Sequence, residues 1–207
     1  MMRPNRPLQQ TSLDGIRFDK LCSHYKDTYD QHLSDMKQRD NLLYILIGVS
    51  VAFTMKITHP DFVDIAIFDY IKKIDDALID LISLSTYILW FLFASISIKY
   101  YHMVVIIEGQ YDYMHALEGM LNKHYRGTKA FTREGKSYNE CYPLFKSWIH
   151  IIYKMMIPAF FTIVTTIKIY EEYHAFSKAS QFAPSLACYI IISISTILYL
   201  LRIHFKR

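Results

Sequence analysis

Four residues in the middle of the sequence have the types and spacing of a metal site. Glu108, Tyr111, His115 and Glu118 follow one another at intervals of three, four and three residues, so a helix places them on one face. Imidazole and carboxylate groups bind divalent metals. There is no HExxH motif and no second histidine to complete a site, so a polar or packed helix face is the favoured interpretation. We therefore predict no metal, cofactor or catalytic residue here, and keep Glu108, His115 and Glu118 as candidate polar or signalling positions.

A second candidate is the charged turn Arg133-Glu134-Gly135-Lys136. Arg133 and Lys136 could bind phosphate oxygens of a lipid, a nucleotide or an acidic partner. The alternative is a local Arg–Glu pair in a segment that is basic because it lies beside a membrane.

Ionisable residues at the edge of an apolar segment form a third candidate. His150 and Lys154 lie one helical turn apart, and ionisable groups at membrane depth are functional candidates. Both are close enough to the interface to reach water. Pro158 follows them and should kink the helix, which frees backbone carbonyls.

Signatures of other functions are absent from the sequence. There is no Gly-rich phosphate loop, no GxSxG and no Cys–His pair in a catalytic order. The three cysteines, Cys22, Cys141 and Cys188, are far apart and indicate neither a disulfide framework nor a zinc site. The basic residues are scattered and carry no nucleic-acid motif. We predict a protein that is not an enzyme and does not bind nucleic acid.

The elements that position these residues are long apolar segments, which predict an all-α integral membrane protein. A helix needs about 20 apolar residues to cross the hydrocarbon core. Four candidate spans are 42–58, 77–98, 148–170 and 185–203. The first is short, and Lys56 within it is expected to extend outward to the interface.

The distribution of charge predicts the topology. Most of the 23 Lys and Arg residues lie in the N-terminal 40 residues, between the second and third spans, or at the C-terminal end. The segment after the first span carries five aspartates instead. This positive-inside pattern predicts that both termini and the long middle segment lie in the cytoplasm, and it accounts for the net charge of +4.

The chain divides into four predicted segments. Residues 1–40 form a cytoplasmic amphipathic helix, with an apolar stripe at Leu13, Ile16, Leu21, Tyr25, Tyr29 and Leu33. Residues 41–107 form a transmembrane hairpin that includes an outer amphipathic segment at 60–80. Residues 108–147 form a cytoplasmic stalk and a turn, and residues 148–207 form the second hairpin with a basic tail.

The stalk continues the second span, because the helical period runs on to about His124 without proline. Gly109 and Gly119 weaken this helix but need not end it. Its apolar stripe must pack on a neighbour, which is either residues 11–40 or another subunit. We take four residues as the candidate assembly stripe: Val104, Ile107, Met114 and Leu117.

The stretch YDYMHALEGMLNKHY, followed by FTREGKSYNECYPLFKSWIHIIYKMMIP, resembles small bacterial membrane proteins of unassigned function. In these, a cytoplasmic helix precedes an Arg-Glu-Gly turn, a Tyr-Pro turn and a Pro-bearing membrane helix. The match covers residues 111–158, and the build is similar to the four-helix membrane component of the Kiwa phage-defence system. The resemblance implies a bacterial inner-membrane location and a role in antiviral defence.

These observations predict a self-associating inner-membrane protein that couples a cytoplasmic signal or protein partner to a membrane response, such as opening a pore. Two alternatives stay open. One is a passive anchor that recruits a soluble cytoplasmic enzyme. The other is a small membrane enzyme that uses His115, Glu118 or the Arg133 turn.

Overall fold

The computed structural model of the chain describes residues 8–58, 78–124, 148, 151–175 and 179–205. Helix α1 covers Leu8–Thr58 and α2 covers Leu78–His124. A π-helical turn at Ile152–Met156 leads into α3, Ile157–Ala175, and α4 covers Ala179–His204. The described residues contain no strand, which confirms the predicted all-α class.

Three segments of these helices are long and apolar enough to cross a membrane. They are Leu84–Lys123, Ile152–His174 and Phe182–His204. The predicted first span, 42–58, is not among them, although it exposes large apolar side chains such as Tyr44, Ile45 and Val51. Whether these residues cross a bilayer stays a prediction.

Helices α1 and α2 are longer than any single span requires. Helix α1 is continuous through the predicted boundary at residue 40, because no proline lies between Pro7 and Pro60. Helix α2 runs through Gly109 and Gly119 to His124, as the sequence predicted. Residues 60–77 of the predicted outer segment lie outside the described residues. Residues 78–80 form the start of α2.

The chain divides into two compact units, and α1 and α2 contribute to both. Unit 1 contains the described residues up to Gln38 and those from Ile106 to Trp148. Unit 2 contains the described residues of Arg39–Val105 and Ile149–Arg207.

Unit 1 is an antiparallel helix pair. Tyr25 contacts Glu118 while His32, further along α1, contacts Gln110, so the two helices run in opposite directions. The buried positions of α2 are Ile107, Met114, Glu118, Leu117 and Leu121. With Gln110, the residues Ile107, Met114, Leu117 and Leu121 repeat at intervals of three and four, the period of a coiled-coil seam.

The matching seam on α1 differs from the predicted stripe. Ile16 is 54% exposed, whereas His32 is completely buried and Asp35 nearly so. The predicted stripe and the seam therefore overlap in part, because Leu21 and Tyr25 belong to both, whereas Ile16 lies outside the seam. The less exposed positions follow the same three-four period: Phe18, Leu21, Tyr25, Thr28, His32 and Asp35.

Unit 2 has an aromatic core. The Phe53 ring packs against Trp90 at 5.1 Å and against Phe93 at 5.5 Å, and Phe93 contacts Phe161 edge-to-face at 5.7 Å. Trp90, Phe53, Phe93 and Phe161 are all fully buried. These rings join α1, α2 and α3 with geometry that favours aromatic pairs.

Pro158 has a structural consequence close to the one predicted. It lacks the N–H that would bond to the carbonyl of Lys154, and its ring would crowd that carbonyl. The turn directly before it is π-helical, with the Ile157 N–H donating to the Ile152 carbonyl. A π-helical turn widens the helix by one residue and often marks a functional position.

Candidate functional site

Lys56 is buried, which corrects the expectation that its side chain extends outward. It is 8% exposed, and its Nζ donates to Ser85 Oγ and Thr86 Oγ1, both at 2.9 Å. Both hydroxyls belong to α2. The ammonium therefore hydrogen-bonds to a neighbouring helix, because hydroxyl acceptors lie within its reach there.

A carboxylate is also buried among the apolar helices. Trp90 Nε1 donates to Glu172 Oε1 at 2.9 Å, and Glu172 is 4% exposed. Lys168 Nζ bonds to Glu171 Oε2 at 2.8 Å and lies 3.9 Å from Glu172 Oε1. Glu172 Oε2 has no hydrogen-bond partner among the described residues. Glu172 lies near the end of the candidate span Ile152–His174.

These groups form one charged cluster on three helices. Thr86 and Trp90 lie one turn apart on α2, Phe53 packs on Trp90, and Lys56 is one turn from Phe53. Two ammonium groups and two carboxylates share this region. Its members are Lys56, Ser85, Thr86, Trp90, Lys168, Glu171 and Glu172. We call this set the charged cluster.

Sequence reasoning missed the cluster because it ended the third span at Tyr170. The signal was present, since Lys168 and Glu172 are four residues apart and lie on one helix face. The candidate span Ile152–His174 includes both. Ionisable side chains inside such a span are rare and mark functional positions by default.

Unit 1 has a polar layer of its own. His32 Nδ1 and Gln110 Oε1 are 3.0 Å apart, Gln110 also donates to Asp35, and Gln31 donates to Asp35 Oδ1 at 2.9 Å. His32 Nε2 has no partner among the described residues. Polar residues at seam positions fix the register of paired helices at some cost in stability. This layer was not predicted.

The residues considered as a metal-binding face are spread along α2 and have separate partners. Glu118 is buried, accepts a hydrogen bond from Tyr25 at 2.9 Å and lies 4.0 Å from His115. Tyr111 packs on His32 with ring centroids 4.5 Å apart. Glu108 is ten positions before Glu118 in the same helix, about 15 Å along its axis. Within the described part of the chain, no three His, Cys, Asp or Glu side chains converge on one point.

The candidate assembly stripe is covered within a single chain. Val104 and Ile107 are 6% and 3% exposed, and Met114 and Leu117 are 0% and 2% exposed. Of the two neighbours considered for this stripe, the structure shows one: in unit 1, α2 packs on α1. Ile107, Met114 and Leu117 are therefore covered by the first of these neighbours, and a role of the stripe in assembly stays a prediction.

The remaining candidate residues lie either at the start of the third span or outside the described residues. Lys154 is half-buried on the π-helical turn and Pro158 is buried. Arg133, Lys136 and His150 lie outside the described residues. Next to Lys154, the Tyr153 ring lies under the Arg39 guanidinium at 4.9 Å, and Arg39 pairs with Asp40 at 2.8 Å.

Across the described residues the fold is all-helical, and three of its helices are long and apolar enough to span a membrane. No family model matches the chain, and no curated protein or solved structure matches it significantly. Function has to be inferred from the buried polar groups themselves.

Proposed function

We propose that this is a bacterial inner-membrane protein that couples a cytoplasmic signal to an opening of its membrane bundle. The observation that carries the proposal is the charged cluster, in which Glu172 is buried on a helix suited to a membrane and Lys56 is buried against another such helix, α2. Burying such groups costs several kcal/mol per ion, and an apolar replacement is often equally stable or more stable. A functional role accounts for their presence better than stability does.

Further buried polar side chains favour an aqueous path through unit 2. Ser97 and Ser185 are completely buried, and neither hydroxyl has a partner among the described residues. The same helices expose many large apolar side chains, such as Phe91, Ile194 and Leu198. Polar side chains buried among apolar membrane helices are candidate members of a path for water or ions. In this proposal the bundle is closed in the structure described, and separation of its helices would hydrate the cluster.

In this proposal residues 42–58 form a fourth span and both termini are cytoplasmic. The support is the concentration of basic residues beside the spans and the exposed apolar side chains of α1 between Tyr44 and Met55. Unit 1 is then the cytoplasmic sensor, and α1 and α2 carry its changes into the bundle. A role in antiviral defence, with self-association of the chain, is part of the same proposal.

The proposal is tested by ion flux from vesicles that contain the purified chain. We expect Lys56→Met to change the flux at least about tenfold, because one charge in a poorly hydrated path alters the barrier by more than about 1.4 kcal/mol. The matched control is Lys99→Met, since Lys99 is an exposed lysine of α2 in the same unit. Absence of flux from the wild-type chain under all conditions, including with cell extract added, would contradict the pore response.

The topology gives a second prediction, at Cys22. Partial burial, and then the nearby charge of Asp19, raise the pKa of the Cys22 thiol. The thiolate is the reactive form, so labelling by a maleimide should be slow at neutral pH and accelerate about tenfold per pH unit below the pKa. With Cys141 and Cys188 changed to Ser, an impermeant maleimide should label Cys22 only after the cells are permeabilised.

Two variants sharpen the labelling experiment. Asp19→Asn should lower the thiol pKa and speed the reaction at pH 7, whereas Asp27→Asn, further along α1, serves as the matched control. Rapid labelling of Cys22 in intact cells would place the N-terminal segment outside and remove residues 42–58 as a span.

A passive anchor is the second candidate function, and the surface of unit 1 favours it. Ile16, Tyr113 and Met120 are 54%, 47% and 47% exposed, although this unit is predicted to face water. Affinity purification from gently solubilised membranes, followed by native mass spectrometry, separates the two candidates. A stoichiometric soluble enzyme would support the anchor, and a homo-oligomer alone would support the pore.

A further inference from the structure

A groove opens on the surface of unit 2, between the π-helical turn and the end of α4. Its volume is about 490 Å³, and seven of its nine lining side chains are apolar. Met155, Ile197 and Leu201 represent its walls, while Lys154 and His204 are its two basic members. None of the described residues that line it carries a carboxylate. A volume of this size accommodates a ligand of several hundred daltons.

The π-helical turn helps to form this groove. It inserts one extra residue into the helix, so the residues before it are rotated relative to those after Pro158. Ile151, Lys154 and Met155, which lie on or beside this turn, all line the groove. The distorted turn before the buried Pro158 therefore also forms part of the groove wall.

The groove combines an apolar lining with two basic side chains, which matches the apolar chains and polar headgroup of a lipid. Lys154 and His204 join a groove whose remaining surface is hydrocarbon, and Arg202 is exposed near the end of the same helix. Around it, Ile194 and Leu198 are 52% and 61% exposed, as expected of a surface that faces acyl chains. Basic pockets between membrane helices at a cytoplasmic surface bind anionic headgroups.

We propose that this groove is a binding site for an anionic phospholipid. One acyl chain lies against Met155, Ile197 and Leu201, and the phosphate lies near Lys154 and His204. The charge of Lys154 and the hydrogen-bonding imidazole of His204 favour an anionic headgroup, and the apolar walls favour a lipid over a soluble phosphate. The proposal requires that the chain lies in a bilayer, and it does not depend on the coupling function.

Native mass spectrometry of the full chain in detergent tests the headgroup preference. The probes are dioleoyl phosphatidylglycerol and dioleoyl phosphatidylcholine, each titrated at pH 7. We expect the wild-type chain to prefer phosphatidylglycerol, and Lys154→Gln to weaken that lipid about fivefold without affecting phosphatidylcholine, since a basic group near the surface contributes about that factor. Lys99→Gln, which removes an exposed lysine away from the groove, should leave both affinities unchanged.

Filling the groove tests the acyl-chain position separately. Leu201→Trp places a ring in the groove and should reduce bound phosphatidylglycerol at least about fivefold, because the chain loses its contacts. Leu198→Trp is the matched control, since Leu198 is an exposed neighbour outside the lining. Equal effects of Lys154→Gln and Lys99→Gln, or of the two Trp variants, would overturn the site. Competition by soluble glycerol phosphate as effective as the lipid itself would also overturn it. Elution volume and helical content confirm that each variant is folded.

Discussion

Replacing Glu172 with Ala is expected to destabilise unit 2 by about 2 kcal/mol, whereas replacing it with Gln should cost less than about half of that. The Ala variant leaves the Trp90 Nε1–H without its acceptor and leaves Lys168, 6% exposed, without the nearby Glu172. Gln keeps an oxygen for Trp90 and removes only the charge. Interhelical hydrogen bonds in membranes average about 0.6 kcal/mol, and breaking a buried ion pair in a soluble protein costs about 3–5 kcal/mol. The estimate lies between these limits.

The measurement is unfolding of the purified chain in mixed micelles, as denaturing detergent is increased. A double-mutant cycle with Trp90→Phe isolates the Trp90–Glu172 contact, since Phe keeps an aromatic ring and lacks the N–H donor. Glu171→Gln is the matched control, because Glu171 is about one-third exposed and its pair with Lys168 should contribute less than about 1 kcal/mol. A coupling energy near zero would show that the contact contributes no stability.

The same series bears on the proposed opening. If the cluster holds the bundle closed, Glu172→Ala should raise resting ion flux in parallel with the lost stability. If flux stays at the wild-type level while stability falls, the cluster is structural, and the pore proposal loses the observation that supports it.

Leu117→Ala should separate the helix pair of unit 1 and cost about 3 kcal/mol, within the range of about 2–5 kcal/mol measured for large-to-small changes in cores. Leu117 is 2% exposed and lies on the seam of α2 between Met114 and Leu121, which are both fully buried. Limited proteolysis of the solubilised chain reports the change, because a separated helix pair exposes backbone to cleavage.

Met120→Ala provides the control on the same helix. Met120 is 47% exposed, so its loss should change stability by less than about 0.5 kcal/mol. The two variants also distinguish packing of the stripe within one chain from packing between two chains. If Leu117→Ala dissociates an oligomer while protease resistance is unchanged, the stripe joins two chains. Loss of resistance at constant oligomer size supports the packing within one chain.

The helices themselves were predictable, because they depend on local periodicity and on where prolines fall. The repeat of Ile107, Met114, Leu117 and Leu121 identified the buried face of α2 correctly. The continuity of α2 through Gly109 and Gly119 followed from the same repeat. The turn before Pro158 was predictable in position, since proline disturbs the preceding turn of any helix, although its π-helical form was not.

The partner face of α1 was not predictable in the same way. The apolar stripe predicted from residue type includes Ile16, which is exposed. It omits His32 and Asp35, which the structure buries at seam positions. Gln110 hydrogen-bonds to both side chains, which offsets the free-energy cost of burying them. Gln110 lies 75 to 78 positions away in the sequence. No local pattern on α1 contains that information.

Long apolar helices, a continuous α2 and a distortion at Pro158 could all be predicted from local sequence, because each depends on residues within a few turns of one another. Tertiary structure alone decided that Lys56 bonds to Ser85 and Thr86, and that Glu172 bonds to Trp90. It also decided that the stripe around Leu117 is covered by the chain's own α1. The physical reason is that a polar side chain is stabilised by whichever partner helix packing brings within about 3 Å, and helix packing is set by contacts between distant parts of the chain.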